Sequence, residues 1–140
     1  MYYKQTGNAS EDFGKFLLRA TLAILILFHG VAKLMNGVGF IGGMVAKLGL
    51  PPEVAYLVYV GEVIAPLLVL FGVWARAGAL VIAINMIVAV VLVHMGDLTS
   101  LTKNGGWALE LQAMFLVSAL AVALLGAGRY SVGGLGGRWN

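Results

Sequence analysis

The segment AGALVIAINMIVAVVLVHM, from Ala77 to Met95, is apolar throughout except for Asn85 and the histidine at position 94. The hydrocarbon core of a bilayer is crossed by about 20 such residues in an α-helix. A strand of an outer-membrane barrel would instead show about ten residues of alternating polarity. The segment lacks that alternation and therefore predicts a transmembrane helix.

Three further segments share this character, and they run from about Phe16 to Met35, Val54 to Trp74 and Trp107 to Gly126. Together with Ala77–Met95 they predict an all-α integral membrane protein, a four-helix bundle that forms one domain over residues 1–140. The connection at residues 73–76 is short enough to make an antiparallel helix hairpin. We expect a short interfacial helix between Phe40 and Leu48, and a loosely ordered Gly-rich tail after Arg129.

The composition excludes several classes of protein. Hydrophobic residues make up 61% of the chain and charged residues only 11%, whereas soluble domains have about 25% charged residues. This composition excludes a soluble domain and a disordered chain. The net charge of +3 comes from nine scattered cations, so nucleic acid is not predicted as a partner. Because the chain has no cysteine, disulfides and thiolate metal sites are excluded.

The cations predict the orientation of the helices. With four spans, one side of the membrane carries six cations, namely Lys4, Lys15, Arg19, Arg76, Arg129 and Arg138. The opposite side carries three, namely Lys33, Lys47 and Lys103. Cytoplasmic segments are enriched in Lys and Arg, so both termini are predicted to be cytoplasmic, with Arg19 and Arg76 at that side.

Five titratable side chains are predicted to meet in the outer half of the bundle, and they are His29, Lys33, Glu62, His94 and Glu110. An ionised side chain at mid-helix costs about 2.5–3.5 kcal/mol on insertion scales, so each requires a partner or a function. These five form the candidate ligand pocket. Asn85 is predicted to point away from His94 and to serve a helix contact, and Arg19 to reach lipid headgroups or to anchor a neighbouring helix.

Structural roles for the same residues remain open. Lys33 and Glu62 can form an ion pair that only fixes helix packing. His94 can reach the membrane interface, bind a ligand, relay protons or bond to Glu110 or Asp97. Two histidines at similar depth permit haem or a metal, but no CxxCH or Glu-x-x-His signature is present, so no metal site is assigned. Quinone binding requires a hydrogen-bonding His or Lys, an acid and apolar walls, all of which are available.

In order and spacing, several motifs resemble the DoxX family of membrane proteins. They are Arg19 with Phe28-His29-Gly30-Val31-Ala32-Lys33, then Leu48-Gly49-Leu50-Pro51, Gly61-Glu62, Leu70-Phe71-Gly72-Val73 with Arg76, Ala89 to His94, Asn104-Gly105-Gly106-Trp107 and Gly126-Ala127-Gly128-Arg129-Tyr130-Ser131. The sequence departs from the family pattern at Ala108, where an acid often follows the Gly-Gly-aromatic turn, and at Ala127, where proline is common.

The resemblance implies a multi-pass protein of the bacterial or archaeal cytoplasmic membrane. Relatives include a subunit of thiosulfate:quinone oxidoreductase. The leading hypothesis is therefore a redox-associated subunit, in which Lys33 and His29 hold a quinone oxygen or an anion such as thiosulfate while Glu62 and His94 relay protons. The alternative is a non-catalytic assembly subunit, and a small-solute transporter is a weaker third. Expected partners are the lipid bilayer and other membrane subunits or further copies of the chain.

Overall fold

The computed structural model describes residues 8–140, and they form five α-helices connected by 3₁₀ and π segments. The α-helices are α1 (Ala9–Asn36), α2 (Gly39–Lys47), α3 (Ala65–Phe71), α4 (Ala75–Val93) and α5 (Glu110–Leu125). A 3₁₀ segment (Pro52–Leu57) and a π segment (Val60–Ile64) precede α3, and a 3₁₀ turn (Met95–Asp97) follows α4. Within the described residues no strand is present, so the all-α prediction is confirmed. Lys4, one of the cations used for orientation, lies outside the described part.

The fifth α-helix is α2 in the first connection, where a short helix between Phe40 and Leu48 was expected in addition to the four spans. This short helix packs against the 3₁₀ segment and lies at one end of the bundle. The other four helices surround the core. In this arrangement α1 contacts α3 and α5, and α4 contacts the same two helices from the opposite side.

The ends of α1 are encoded locally. The side chain of Asn8 accepts a hydrogen bond from the backbone nitrogen of Ser10, and Glu11 and Asp12 occupy the first turn. Acidic residues are favourable there because the helix dipole places partial positive charge at the N-terminus. The helix ends at Gly37, whose φ of 80° is accessible to glycine at little cost.

The core between the four helices is built from small and medium apolar side chains. Ala23, Ala65, Ala79 and Ala119 are almost completely buried, together with larger residues such as Ile82. Small residues let helix backbones approach closely, which compensates for the weak hydrophobic driving force between helices in lipid. Large apolar side chains face outward instead, as expected of helices surrounded by lipid.

Three helical stretches are long and apolar enough to cross a membrane: Ala9–Asn36, Pro52–Phe71 and Ala75–Val93. The second comprises the 3₁₀ segment, the π segment and α3. The fourth predicted span is shorter, because α5 begins only at Glu110 and has 16 residues. At about 1.5 Å per residue it extends about 24 Å, less than a typical hydrocarbon core of about 30 Å.

The C-terminal tail is held against the bundle, contrary to the expectation of loose order. The backbone nitrogens of Val132 and Gly133 donate to the carbonyls of Phe71 and Gly72. The Nε atom of Arg76 donates to the carbonyl of Asn140 at 2.9 Å. The tail therefore covers the end of the bundle at which α3 and α5 finish.

Candidate functional site

The π segment places Glu62 inside the bundle, and Pro66 explains why the helix widens there. Proline has no N–H, and its ring collides with the carbonyl of the residue four positions earlier in an α-helix. For Pro66 that residue is Glu62. The widened turn avoids this geometry, with the backbone nitrogen of Ala65 donating to the carbonyl of Val60. As a result Glu62 is only 5% exposed.

Two glycines bring neighbouring helices into contact with this turn. A Cβ atom on Gly30 of α1 would overlap the backbone carbonyl of Glu62. A Cβ atom on Gly61 would lie 2.5 Å from the Asn85 side chain of α4. The backbones of α1 and of the π segment therefore approach each other at Gly30. Asn85 packs directly on Gly61.

Three polar side chains meet at this point. Lys33 Nζ lies 2.5 Å from Glu62 Oε2, and Asn85 Nδ2 donates to Glu62 Oε1 at 3.3 Å. The Tyr59 hydroxyl donates to the backbone carbonyl of Lys33 at 3.1 Å. Both carboxylate oxygens thus have partners, which an anion buried among apolar helices requires. The lysine side chain is 26% exposed and the glutamate side chain 6%, so Lys33 reaches in from the edge.

An apolar cavity of about 380 Å³ lies beside this cluster, between α2, the 3₁₀ and π segments and α4. We call it the lateral groove. Its walls include Val45, Leu57, Val81 and Leu92, and among its lining residues Asn85 alone has a polar side chain. The groove therefore presents one amide, bonded to Glu62, at the wall of an apolar space.

A second and smaller cavity, about 80 Å³, also borders Glu62. We call it the polar cavity because His29, Glu62 and Gln112 line it together with apolar residues. The His29 ring packs edge-on against Phe115, with ring centroids 5.9 Å apart. Glu62 thus lines the polar cavity and is joined to the lateral groove through Asn85.

His94 lies at the C-terminal end of α4 and is held from two sides. Its Nδ1 atom lies 3.1 Å from Asp97 Oδ2, and its Nε2 atom lies 3.3 Å from the amide nitrogen of Gln112. The Oε1 atom of Gln112 is buried and has no hydrogen-bond partner. Gln112 therefore links His94 to the polar cavity.

Among the five predicted pocket residues, Lys33 and Glu62 are in direct contact, and His29 lines the same cavity as Glu62. His94 is one side chain further away, behind Gln112. Glu110 does not join them, because it is exposed at the first turn of α5 with its carboxylate beside Gly106. The acid of α5 is thus outside the cluster.

Asn85 serves the helix contact predicted for it, because it packs on Gly61. Its bond to Glu62 was not predicted, however, and Gln112 was left out of the pocket. Asn85 was predicted to point away because its direction was compared with that of His94. His94, however, ends the helix with a φ of −119°, so it is a poor guide to the inner face of α4. The signal that could have identified both residues was present, since each is an amide within an apolar span.

The opposite end of the bundle is organised by two arginines. Arg19 is 1% exposed, so the prediction that it reaches headgroups is wrong, whereas helix anchoring agrees with its contacts. Its guanidinium donates to the carbonyls of Val69, Leu70, Ala127 and Tyr130. Arg76 similarly donates to Ala123 and Leu124 near the end of α5. Arg76 binds carbonyls in the last turn of α5, whereas Arg19 binds two carbonyls in the last turn of α3 and two in the segment after α5.

The described residues contain no cluster of side chains that could bind a metal ion. Within residues 8–140, no group of three or more His, Asp and Glu side chains is placed to hold a metal ion. The polar side chains around Glu62 consist instead of one cation, two amides and an imidazole, which suit hydrogen bonding to an organic ligand or to water.

Comparison with known proteins identifies similar chains. Residues 14–95 match the family model described as DoxX, which is more than half of the chain. A protein of Bacillus subtilis (strain 168), named "Putative oxidoreductase CatD", is 32% identical over 88 residues, or 63% of this chain and 65% of that relative. The match thus spans less than two thirds of the relative's length. No solved structure matches significantly. The family match includes Lys33, Glu62 and Asn85 and ends before α5.

Proposed function

This chain belongs to the DoxX family, and from that premise we propose that it is a redox-associated membrane subunit that binds a quinone in its lateral groove. The observation that carries the proposal is that Asn85 lines an apolar groove of about 380 Å³ and also bonds to the buried Glu62 of the Lys33–Glu62 pair. Ligand sites are typically apolar cavities of about 300–1,000 Å³ with a few convergent polar groups. The name of the Bacillus subtilis relative is consistent with redox chemistry.

The residues of the chain have distinct roles in this proposal. The apolar walls hold the ring and its isoprenoid tail, and Asn85 offers a hydrogen-bond donor at the groove. A bound quinone supplies a two-electron, two-proton acceptor, and a partner subunit provides the electrons. Glu62 holds a proton near Asn85, while the positive charge of Lys33 stabilises the carboxylate when that proton is absent.

The proposal includes a specific placement in the bacterial or archaeal cytoplasmic membrane. We place four crossings there, with both termini in the cytoplasm and Glu62 in the outer half. The excess of Lys and Arg near the termini supports this orientation. The helix order supports the outer position of Glu62. Because α1 and α4 run in one direction and α3 and α5 return, the Lys33–Glu62 pair lies toward the end of the bundle that carries α2.

Quinone binding can be tested with protein in lipid nanodiscs and a short-tailed quinone that carries a photoreactive azide. We expect saturable crosslinking to residues of the lateral groove. Asn85→Leu removes a hydrogen bond worth about 1 kcal/mol and should weaken binding roughly five- to tenfold. Ala89→Phe fills the groove and should abolish saturable crosslinking.

The matched control is Ala32→Phe, because Ala32 is exposed on α1 and is not among the groove's lining residues. This variant should crosslink like the parent protein. Equal crosslinking of the parent and Ala89→Phe would contradict the groove as the quinone site.

A non-catalytic assembly subunit is the second candidate. The supporting observation is that Lys33, Glu62 and Asn85 satisfy one another without a ligand, as expected of a cluster that only fixes helix packing. Purification in mild detergent separates the two functions. Consistent recovery of a lone chain that still binds quinone would contradict the assembly role, and recovery only with other membrane proteins, without quinone binding, would support it.

A further inference from the structure

Glu62 borders a cavity that has the size and polarity to hold water. The polar cavity measures about 80 Å³, which exceeds the roughly 10–15 Å³ of probe volume that a buried water requires. Buried waters require polar partners. Among the lining residues, Glu62, His29 and Gln112 offer them.

Gln112 provides a specific reason for water to be present. Its Oε1 atom is buried without a partner, which costs about 1–3 kcal/mol if no water reaches it. Exchanging the two amide atoms does not remove the problem, because the oxygen would then face His94 and the nitrogen would lose its partner. Gln112 lines the polar cavity, so a water there is a candidate partner for the free amide atom in either orientation.

The same amide leads toward the surface. His94 contacts Gln112 on one ring nitrogen and Asp97 on the other. The side chains of His94 and Asp97 are 32% and 49% exposed. An imidazole can accept a proton on one ring nitrogen and release one from the other. His94 can therefore take up a proton at this end of the bundle.

We propose that Asp97, His94, Gln112 and water in the polar cavity form a proton pathway from the membrane surface to Glu62. Protonated His94 releases one proton into the water chain, and the chain delivers one proton to a Glu62 carboxylate oxygen. His94 becomes neutral and Glu62 becomes a carboxylic acid, so one positive charge leaves the imidazole and one negative charge is neutralised. Gln112 is a positioning residue that stands between His94 and the polar cavity, and its amide turns so that the oxygen accepts from Nε2–H when His94 is protonated.

The surroundings of Glu62 are suited to this exchange. From α1, Lys33 pairs with the carboxylate and His29 faces the same cavity. From α4 and α5 the facing polar groups are the amides of Asn85 and Gln112, which carry no charge. When Glu62 is protonated, Lys33 keeps its charge and can extend toward the edge from which it enters.

The use of this pathway in quinone chemistry rests on the proposed function, whereas the pathway itself is tested without quinone. Ligand-free protein in nanodiscs is subjected to a rapid drop in pH, and the rise of the Glu62 carboxylic-acid band is followed by time-resolved infrared spectroscopy. The band is assigned by its loss in Glu62→Gln. Failure of quinone binding and failure of proton delivery are therefore independent results.

Substitution along the pathway should slow the rise of this band. His94→Leu removes the group that releases the proton, and Gln112→Leu removes the amide that orients the imidazole and the water, so each should reduce the rate by about tenfold or more. Gln112→Glu retains a polar group for water and should restore most of the rate. Ser118→Ala, a polar-to-apolar change on α5 outside the polar cavity, should leave it unchanged.

Unchanged rates in both leucine variants would overturn the proposal. It would also be overturned if His29→Leu alone slowed the rise, because protons would then enter through His29. If Gln112→Leu does not fold, His94→Leu decides the outcome, since His94 lies at the exposed end of the bundle.

Discussion

At the scale of single residues, the Lys33–Glu62 pair is asymmetric, because the glutamate side chain is 6% exposed and the lysine side chain 26%. Lys33→Met leaves a buried carboxylate without its cation and should lower the free energy of unfolding by about 3–5 kcal/mol. Glu62→Gln leaves a lysine that can extend outward, so it should lower the free energy of unfolding by less than Lys33→Met does. Titration with sodium dodecyl sulfate, followed by circular dichroism, measures these differences.

The double variant Lys33→Met/Glu62→Gln tests whether the two charges stabilise each other. It should be more stable than Lys33→Met alone, because no uncompensated charge remains in the bundle. Lys47→Met removes an exposed lysine of α2 and is the control, with an expected effect near zero. Strictly additive effects of the two substitutions would show that the pair contributes no coupling.

Gly30 is the residue that sets the distance between α1 and the π segment. Gly30→Ala places a methyl group against the Glu62 carbonyl, and such overpacking should destabilise the protein by about 1–3 kcal/mol. Gly14→Ala, on the same helix with open space around it, should instead be neutral or stabilise by up to about 1 kcal/mol through helix propensity. The same detergent titration compares them, and equal effects would contradict the close contact.

At the scale of elements, the two ends of the bundle are built differently. At one end, the π segment and the glycines place polar side chains between helices. At the other end, Arg19 joins the last turn of α3 to the segment that follows α5 by donating to four backbone carbonyls. Helix carbonyls that are buried without water need such donors, so this arginine replaces the missing solvent.

Arg19→Leu is expected to destabilise the bundle by about 3 kcal/mol or more, because several buried carbonyls lose their donors together. The stability of Arg19→Lys should lie between that of Arg19→Leu and that of the parent protein, because an ammonium offers three donors but lacks the planar geometry of the arginine guanidinium. Arg138→Gln, an exposed arginine of the tail, serves as control. Equal stability of the leucine and lysine variants would contradict the hydrogen-bonding role.

At the scale of the whole molecule, the number of crossings depends on α5, whose 16 residues are few for a span. The chain has no cysteine, so introduced cysteines report their side unambiguously. We expect Lys103→Cys to react with a membrane-impermeant maleimide on intact cells. Arg138→Cys should react only after permeabilisation. The reverse pattern would contradict cytoplasmic termini, and reaction of both variants on intact cells would mean that α5 does not cross.

Much of this molecule follows from its sequence. Runs of apolar residues such as Ala77–Met95 determined that the chain is helical and belongs in lipid, because a backbone in hydrocarbon must satisfy its own hydrogen bonds. The same reasoning identified Lys33 and Glu62, since charges within apolar helices are costly and few. The short helix in the first connection was also predicted.

Only the tertiary structure decided how the polar groups meet. The π turn before Pro66 is a local widening of the helix that regular helical periodicity does not contain. Packing between helices brought Asn85 and Gln112 to the site and left Glu110 outside it. It also buried Arg19 against carbonyls of Ala127 and Tyr130, which lie more than a hundred positions from it in the chain. Such contacts depend on the relative rotation and depth of whole helices, whereas the sequence specifies only which residues are too polar to face lipid.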